Sequence, residues 1–303
     1  MIKLSLGITV SLICIVSCAP NIVAQPGAGT SFIDFITRRL APEHTSTTKK
    51  TSSTVDISKF CNVEKSAFAR RVFTEYGAMF VASSEVTLPK VCYFPGEKSA
   101  THFQSKLRTK SAVIDGTEIK LQGVAMDALL AAVIEALQNG TKISPFDGSI
   151  AAARSYGDTV GIWNSRFDPA LQYWTTRGKI AAEDAAQIRT LPLEQQVDKV
   201  IEWESRRFWF GTTRTASIFS STAPPGASQH LALIAFDVAR LPSPKIAAIF
   251  NSHGWYQTVK GDPQHFTYLG VSETELQDRG LRSIRYGGVK YWVPNVTLTT
   301  LPN

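Results

Sequence analysis

The chain has 303 residues, 44% of them hydrophobic and 19% charged, and its formal net charge is +7 at pH 7. This composition excludes a disordered or collagen-like chain and supplies one large domain, or two smaller ones, with enough apolar residues for a buried core. No stretch after the N-terminus reaches about 18 consecutive apolar residues, and no arginine-rich or alternating aromatic and basic segment indicates a nucleic-acid partner.

Residues 1–24 have the features of an export signal. Lys3 supplies a positive charge, Leu4–Val16 forms a short apolar segment, and small residues follow it. This segment is too short to span a membrane stably. We therefore expect an exported protein that is located in the periplasm or elsewhere in the cell envelope.

The end of that segment leaves two possibilities for processing. Ile15–Cys18 resembles a bacterial lipobox, in which the cysteine is lipidated and becomes the first mature residue. The alternative is simple cleavage near Ala19 or Ala24. A lipid anchor at Cys18 is the only attachment to a membrane that the sequence predicts.

Residues 25–56 are predicted to be a flexible linker, because 41–56 is rich in Thr, Ser and Lys and has few apolar residues. Residues 57–123 follow as an N-terminal extension or a small subdomain. Within them the sequence predicts a helix over Glu64–Tyr76 and a strand-like segment at Met79–Val81.

Cys61 and Cys92 are the two cysteines that clearly belong to the mature globular part. In an oxidising compartment two such cysteines usually form a disulfide. A catalytic thiol near His102 is the alternative, but neither cysteine lies in a Cys–His motif. We therefore predict that these two cysteines pair.

The later part of the chain alternates between helical and strand-like patterns. Apolar spacing, good helix formers and capping residues predict helices over Val124–Gln138, Ala151–Trp163, Leu193–Trp203 and Pro244–Gly254. Strands are predicted over Thr215–Phe219, Leu231–Val238, Trp255–Val259 and Phe266–Leu269. Helices that come early and an antiparallel sheet that comes late predict an α+β fold.

Two late segments, 223–238 and 253–270, hold three of the five histidines. A catalytic zinc needs about three nitrogen or oxygen ligands and one open position for water, and His230, Asp237 and His265 are of the required types. Spacing leaves another interpretation open, since residues seven apart lie on opposite faces of a regular strand. In that interpretation His230 caps the preceding turn and Asp237 makes a local hydrogen bond.

These segments also carry a family resemblance. Ser228–Asp237 (SQHLALIAFD), preceded by a P-P-G sequence, resembles the S-x-H-x-x-G-x-A-x-D signature of VanY-type D-Ala-D-Ala carboxypeptidases, zinc peptidases that share a fold with hedgehog signalling domains. Asp262–His265 (DPQH) is similar to the E-P-W-H of the family, and Ala153–Tyr156 (ARSY) resembles its G-Y-R-S-Y segment. The three segments occur in family order within Val124–Gly270, about half of the chain.

The resemblance implies a Zn²⁺ cofactor held by His230, Asp237 and His265. Asp262 matches the catalytic glutamate of the family, which takes a proton from the attacking water. Arg154 matches the arginine that faces the scissile carbonyl, where it stabilises the charge that develops in the transition state. The implied fold has an antiparallel sheet that bears the metal site and packs against helices.

The resemblance further implies that 124–270 is the zinc peptidase-like domain and that peptidoglycan stem peptides are its substrates. Ser228 matches the signature serine and is predicted to contact the substrate or support the site. Trp255 is predicted to form a wall of the substrate pocket, because it lies between a helix and the turn before His265. Residues 271–303 are predicted to be a C-terminal extension packed on this domain.

Three positions depart from the family pattern. Asp262 is one methylene shorter than the glutamate it replaces, Leu233 stands where the signature has glycine, and Gln264 replaces tryptophan. Two functions therefore stay open: a zinc peptidase, and a catalytically weak or inactive wall-binding protein that keeps the fold. A hydrolase that acts on another amide is not distinguished from the peptidase by the sequence.

Overall fold

The computed structural model describes residues 30–40 and 57–296, so the predicted export signal and lipobox lie outside the described residues. The helices are α1 (Phe32–Leu40), α2 (Ile57–Phe60), α3 (Ala67–Tyr76), α4 (Glu97–Gln104), α5 (Gly123–Gln138), α6 (Tyr156–Thr176), α7 (Ala182–Ile188), α8 (Leu193–Ser205) and α9 (Pro244–Ser252). None of these described helices has the length and apolarity needed to cross a bilayer.

Within the described residues, seven strands form three small antiparallel sheets. They are β1 (Thr109–Ile114), β2 (Thr117–Gln122), β3 (Ala235–Asp237), β4 (Trp255–Tyr256), β5 (His265–Tyr268), β6 (Leu281–Tyr286) and β7 (Val289–Pro294). β1–β2 and β6–β7 are hairpins, and the third sheet has the order β3-β5-β4. The predicted α+β class is confirmed by this mixture of helices and antiparallel sheets.

Most predicted helices are present, with ends that are set by capping residues. α5 and α8 cover the predicted ranges and extend them by one or two residues. α3 begins later than predicted because Ser66 is its N-cap, with a side chain that accepts a hydrogen bond from the backbone N–H of Ala69. α9 begins at Pro244, directly after its N-cap Ser243, as the sequence predicted.

The helix predicted over Ala151–Trp163 has the wrong bounds. α6 begins at Tyr156, because the side chain of Ser155 and that of Asp158 each bond a backbone N–H of the other in a capping box. The helix then continues to Thr176, thirteen residues beyond the predicted end. Buried residues recur at helical spacing along the whole of α6, including the part after Trp163 that the prediction left out.

The strand predictions were less accurate. Met79–Val81 and Ile218–Ser220 lie in 3₁₀ turns, so the strands predicted there are wrong. Of the strand predicted over Leu231–Val238, only Ala235–Asp237 forms a strand, and Val238 adds an isolated bridge to Pro145. Leu233 causes the break, because it adopts a left-handed conformation with a φ of 56° that interrupts extended backbone.

The central sheet holds the residues on which the site depends. β5 lies between β3 and β4, and the register pairs Asp237 with His265 and Ala235 with Thr267. Every residue of these three strands is buried. α5 and α9 pack on this sheet, and the Phe250 ring of α9 stacks on that of Phe266 with centroids 4.2 Å apart.

α3 joins the two main hydrophobic clusters of the described chain. Its Phe73 belongs to the cluster around the central sheet, whereas Phe68 belongs to a cluster with Trp163 of α6 and Trp203 of α8. Residues 57–123 therefore share buried contacts with the segment that carries the signature. This packing places the end of α3 close to the site described below.

α1 lies within the stretch predicted to be a linker, and that part of the prediction is wrong. Phe32 and Ile36 are buried, and the Phe32 ring lies 4.8 Å from that of Phe73, centroid to centroid. These apolar residues recur four apart on one face of α1, so the helix gains stability by covering the core. Residues 41–56 lie outside the described residues.

The structure joins Cys61 and Cys92 in a buried disulfide with a sequence separation of 31 residues. Closing a loop of 31 residues restricts the unfolded chain and stabilises the fold by ~3–4 kcal/mol on the chain-entropy model. We expect a double Cys61→Ala, Cys92→Ala variant to lose that much unfolding free energy in urea denaturation. Wild-type protein unfolded under reducing conditions is the control, and an unchanged free energy in the variant would contradict the prediction.

Candidate metal centre

His230, Asp237 and His265 meet at one end of the central sheet. Asp237 ends β3 and His265 begins β5, directly opposite it in the antiparallel register. His230 lies in the 3₁₀ turn Gln229–Ala232 that precedes β3. The left-handed residue Leu233 redirects the chain between turn and strand, so seven residues of separation do not place His230 and Asp237 on opposite faces.

The distances between the three side chains match a coordination site. Oδ1 of Asp237 lies 2.9 Å from Nδ1 of His265 and 3.3 Å from Nε2 of His230, and the two imidazole nitrogens are 3.2 Å apart. Ligand atoms at zinc bond lengths of about 2.0–2.2 Å are roughly 3.4 Å apart in a tetrahedron. The three atoms therefore approximate one face of a tetrahedral site.

The tautomers of the two imidazoles direct lone pairs to this face. Nδ1 of His230 is 2.7 Å from the carbonyl oxygen of Ala152, and Nε2 of His265 is 2.8 Å from Oε1 of Gln229. Both oxygens only accept hydrogen bonds, so each of these nitrogens carries a proton. The remaining nitrogens face Asp237 as lone pairs, and such a donor set fits a zinc ion.

The electrostatics of the cluster keep His230 neutral and Asp237 ionised at neutral pH. Burial, followed by the nearby guanidinium of Arg154, lowers the pKa of His230 to about 4. Burial alone would raise the pKa of Asp237, but the adjacent imidazoles of His230 and His265 hold it well below its usual range. At neutral pH the cluster therefore offers a carboxylate and the lone pair of a neutral His230.

Arg154 lies beside this cluster, and hydrogen bonds hold its guanidinium in place. One terminal nitrogen donates to Oδ2 of Asp237 at 2.5 Å, and Nε donates to the carbonyl of Ile150 at 2.9 Å. The guanidinium therefore orients the carboxylate so that Oδ1 faces the imidazoles. The structure places the arginine in the wall of the cavity, where it is bonded to the aspartate.

Asp262 occupies the turn before β5 and lines the same cavity as the cluster. Its backbone N–H donates to the carbonyl of Val259 at 3.1 Å, which fixes the start of the turn. Burial raises the pKa of Asp262, and the charge of Asp237 raises it further, against the effect of His265. The carboxylate is therefore a stronger base than an ordinary aspartate.

The cavity has a volume of about 390 Å³ and is bordered by α6, the segment 220–223 and the three candidate ligands. Hydroxyl groups are frequent in its wall: Thr159, Ser165, Ser220, Ser221, Thr222 and Ser228. A wall of this kind offers many hydrogen-bonding groups to a polar ligand. Ser228 lies in this wall beside the candidate ligands, and its contact with a substrate stays a prediction.

Trp255 is not in this cavity, so its predicted place in the pocket wall is wrong. Its side chain is fully buried in β4, and its ring centroid lies 5.3 Å from that of Tyr268 and 6.2 Å from that of Phe250. β4 is the strand farthest from β3 in this sheet. The tryptophan packs in the hydrophobic core, where its ring contacts other aromatic rings.

A Trp255→Phe variant tests this correction. We expect the Michaelis constant for a peptide substrate to stay unchanged, because the side chain is buried and does not line the cavity. The unfolding free energy should fall by less than the ~3–5 kcal/mol that truncation of a buried tryptophan to alanine costs. Thermal unfolding and peptide kinetics measure both quantities, and a raised Michaelis constant in a stable variant would contradict the expectation.

Two residues of the site were missed by the sequence analysis. Gln229 stands at a variable position of the signature, so no motif pointed to it. Arg166 lines the cavity from α6, together with Thr159 and Ile162. These three positions follow helical spacing on one face, and a helix predicted to its full length would have identified them.

Comparisons with known proteins add little to this geometry. No family model matches the chain, and no curated protein matches it. One similar solved structure is a mutant of the vancomycin-resistance D,D-pentapeptidase VanY from a VanB-type resistance cassette, in complex with Zn(II). It is 14% identical, covers 58% of this chain and 87% of its own, and has a TM-score of 0.33. A likeness at this level does not establish a shared fold.

Proposed function

We propose that this protein is an exported zinc-dependent peptidase that hydrolyses peptide bonds in peptidoglycan stem peptides. One observation carries the proposal: lone pairs of His230, Asp237 and His265 converge on one point in the wall of a polar cavity. The resemblance of Ser228–Asp237 and Asp262–His265 to VanY-type carboxypeptidases supports it, and it is the reason for proposing a hedgehog-like fold and substrates that contain D-amino acids.

The residues around the cluster provide the groups that hydrolysis needs. When bound, Zn²⁺ supplies a Lewis acid that polarises a carbonyl and lowers the pKa of a water to ~7. Asp262 takes the proton of the attacking water and returns it to the leaving amine, a role that its raised pKa favours. Arg154 holds Asp237 in place and adds positive charge beside the developing oxyanion.

The proposed location follows from the N-terminal sequence. Residues 1–24 direct export, and Cys18 is lipidated if the lipobox is used. Metabolic labelling with a palmitate analogue separates lipidation from simple cleavage. A disulfide between Cys61 and Cys92 suits an oxidising compartment and supports export.

Metal analysis of the purified mature protein, paired with mass spectrometry of digested muropeptides, tests the proposal. We expect about one equivalent of zinc and one defined cut in the stem peptide, lost after chelation and restored by added zinc. Absence of zinc after reconstitution would contradict the metal site. Zinc with a cut at some other amide would contradict the proposed substrate.

A wall-binding protein without catalysis is the second candidate. Two observations favour it: Asp262 is shorter than the glutamate of the family, and Arg154 is bound to Asp237. In that case muropeptides bind to the zinc-loaded protein, and no cut is detected on prolonged incubation.

A further inference from the structure

Gln229 is a buried amide that links the candidate metal site to the N-terminal part of the chain. Its Oε1 lies 2.8 Å from Nε2 of His265, and its Nε2 donates to the carbonyl of Tyr76 at 2.9 Å. Only 1% of the residue is exposed. Tyr76 ends α3, which lies outside the segment that resembles the zinc peptidases.

The orientation of this amide selects the tautomer of His265. With Oε1 towards the imidazole, Nε2 of His265 carries the proton and Nδ1 keeps a lone pair. With the amide reversed, its NH₂ group would face Nε2 and require a lone pair there. The proton would then lie on Nδ1, where it would bond Asp237 and leave no nitrogen for a metal.

The carbonyl of Tyr76 selects the first orientation, and two threonine hydroxyls are compatible with it. The carbonyl of Tyr76 only accepts, so it requires the NH₂ group on its side. The hydroxyl of Thr258 donates to Oε1 at 3.3 Å, and that of Thr267 also contacts Oε1. Both threonines are fully buried, so water does not compete for these contacts.

The carbonyl of Tyr76 is itself held in place. Tyr76 ends α3, and its phenol oxygen contacts the carbonyl of Phe219 at 2.5 Å and that of Thr222 at 3.0 Å. Thr222 belongs to the cavity wall. The end of α3 is therefore fixed against the cavity on one side and against Gln229 on the other.

We propose that Gln229 is a positioning residue that holds His265 in its metal-binding tautomer, and that residues 57–123 act in the metal site through the Tyr76 carbonyl. This inference rests on the metal site of the proposed function. It gives the N-terminal segment a role that the sequence did not reveal. Groups that orient a ligating histidine typically contribute 10–100-fold to metal affinity.

Gln229→Met tests the inference, because methionine fills a similar volume without an acceptor or a donor. We expect zinc affinity, measured by competition with a chelator, to fall about 10–100-fold. Gln122→Met is the matched control, since Gln122 is also a buried amide, bound to the backbone of Thr87 and Ala232 but to no ligand side chain. Its zinc affinity should stay within about twofold of wild type, although its thermal stability falls as well.

A spectroscopic readout separates positioning from general stability. In ¹⁵N-labelled zinc-loaded protein we expect His265 to bind through Nδ1 and to carry a slowly exchanging proton on Nε2. In Gln229→Met that proton should exchange rapidly, while the Nδ1–H signal of His230, bonded to Ala152, stays protected. Coordination of His265 through Nε2, or equal zinc affinity in the Gln229→Met variant and wild type, would overturn the inference.

The outcomes also distinguish this inference from the proposed function. Wild-type protein that binds zinc but hydrolyses no peptide would overturn the peptidase and leave the role of Gln229 intact. Wild-type protein that binds no zinc would overturn both.

Discussion

Replacing His265 by alanine is expected to abolish stoichiometric zinc binding and to lower kcat/KM for peptide hydrolysis by at least about 1000-fold, equivalent to ~4 kcal/mol of transition-state stabilisation. The reason is geometric. Nδ1 of His265 and Oδ1 of Asp237, 2.9 Å apart, are two of the three converging donor atoms. Without the imidazole, a carboxylate oxygen and one nitrogen remain, which is one protein ligand fewer than catalytic zinc sites use.

Zinc content by elemental analysis and kinetics on a stem peptide measure this effect. His253→Ala is the matched control, because His253 pairs with Glu135 at 2.8 Å and is absent from the cavity wall. That variant should keep its zinc and its activity. A His265→Ala protein with full zinc and full hydrolysis would refute the ligand assignment.

Replacing Asp262 by asparagine is expected to lower kcat by about 10²–10⁴-fold while zinc content stays unchanged. Asparagine has nearly the same shape, but its amide cannot take a proton from water. Asp262 also lies outside the three-atom cluster, so its loss removes no ligand. A loss of zinc in this variant would show that the residue acts on the metal instead.

The pH dependence provides a second test of Asp262. A general base works only when deprotonated, and burial raises the pKa of this carboxyl. The acid limb of the kcat/KM profile should therefore lie above the ~3.9 of an ordinary aspartate. Hydrolysis is lost as the pH falls through that raised pKa, and the limb should disappear in Asp262→Asn.

Asp262→Glu separates the two candidate functions. A side chain that is too short by about 1 Å can cost ~100-fold in rate, so the longer carboxylate should increase hydrolysis if the wild type is a weak enzyme. Tight muropeptide binding with no hydrolysis in either protein would favour the binding module.

Helices were predictable because their signals are local. Ser243 and Pro244 mark the start of α9, and the spacing of apolar residues marks α5, since caps and apolar spacing are both read from residues within a few turns of chain. The start of α6 was missed although Ser155 and Asp158 carry the capping-box pattern in the sequence. That error came from extending apolar periodicity across the cap.

Strands were harder to predict because their partners are distant in sequence. Leu231–Val238 is nearly all apolar, which fits a buried strand and a buried turn equally well. Its first half became a turn once Leu233 took the left-handed conformation at the position where the signature has glycine. Glycine reaches that conformation without a steric cost, so the signature itself contained the information.

Residue types along the chain, together with the resemblance to a known signature, were enough to name His230, Asp237, His265 and Asp262 as candidates, and the element pattern was enough to assign the α+β class. They could not show that Asp237 faces His265 across a β-ladder, that Trp255 lies in the core, or that a carbonyl at the end of α3 orients the amide of Gln229. The first of these features depends on a contact between residues 28 positions apart, and the last on one between residues 153 positions apart. Such contacts form only when the whole chain packs, because burial and hydrogen-bond satisfaction are properties of the assembled core.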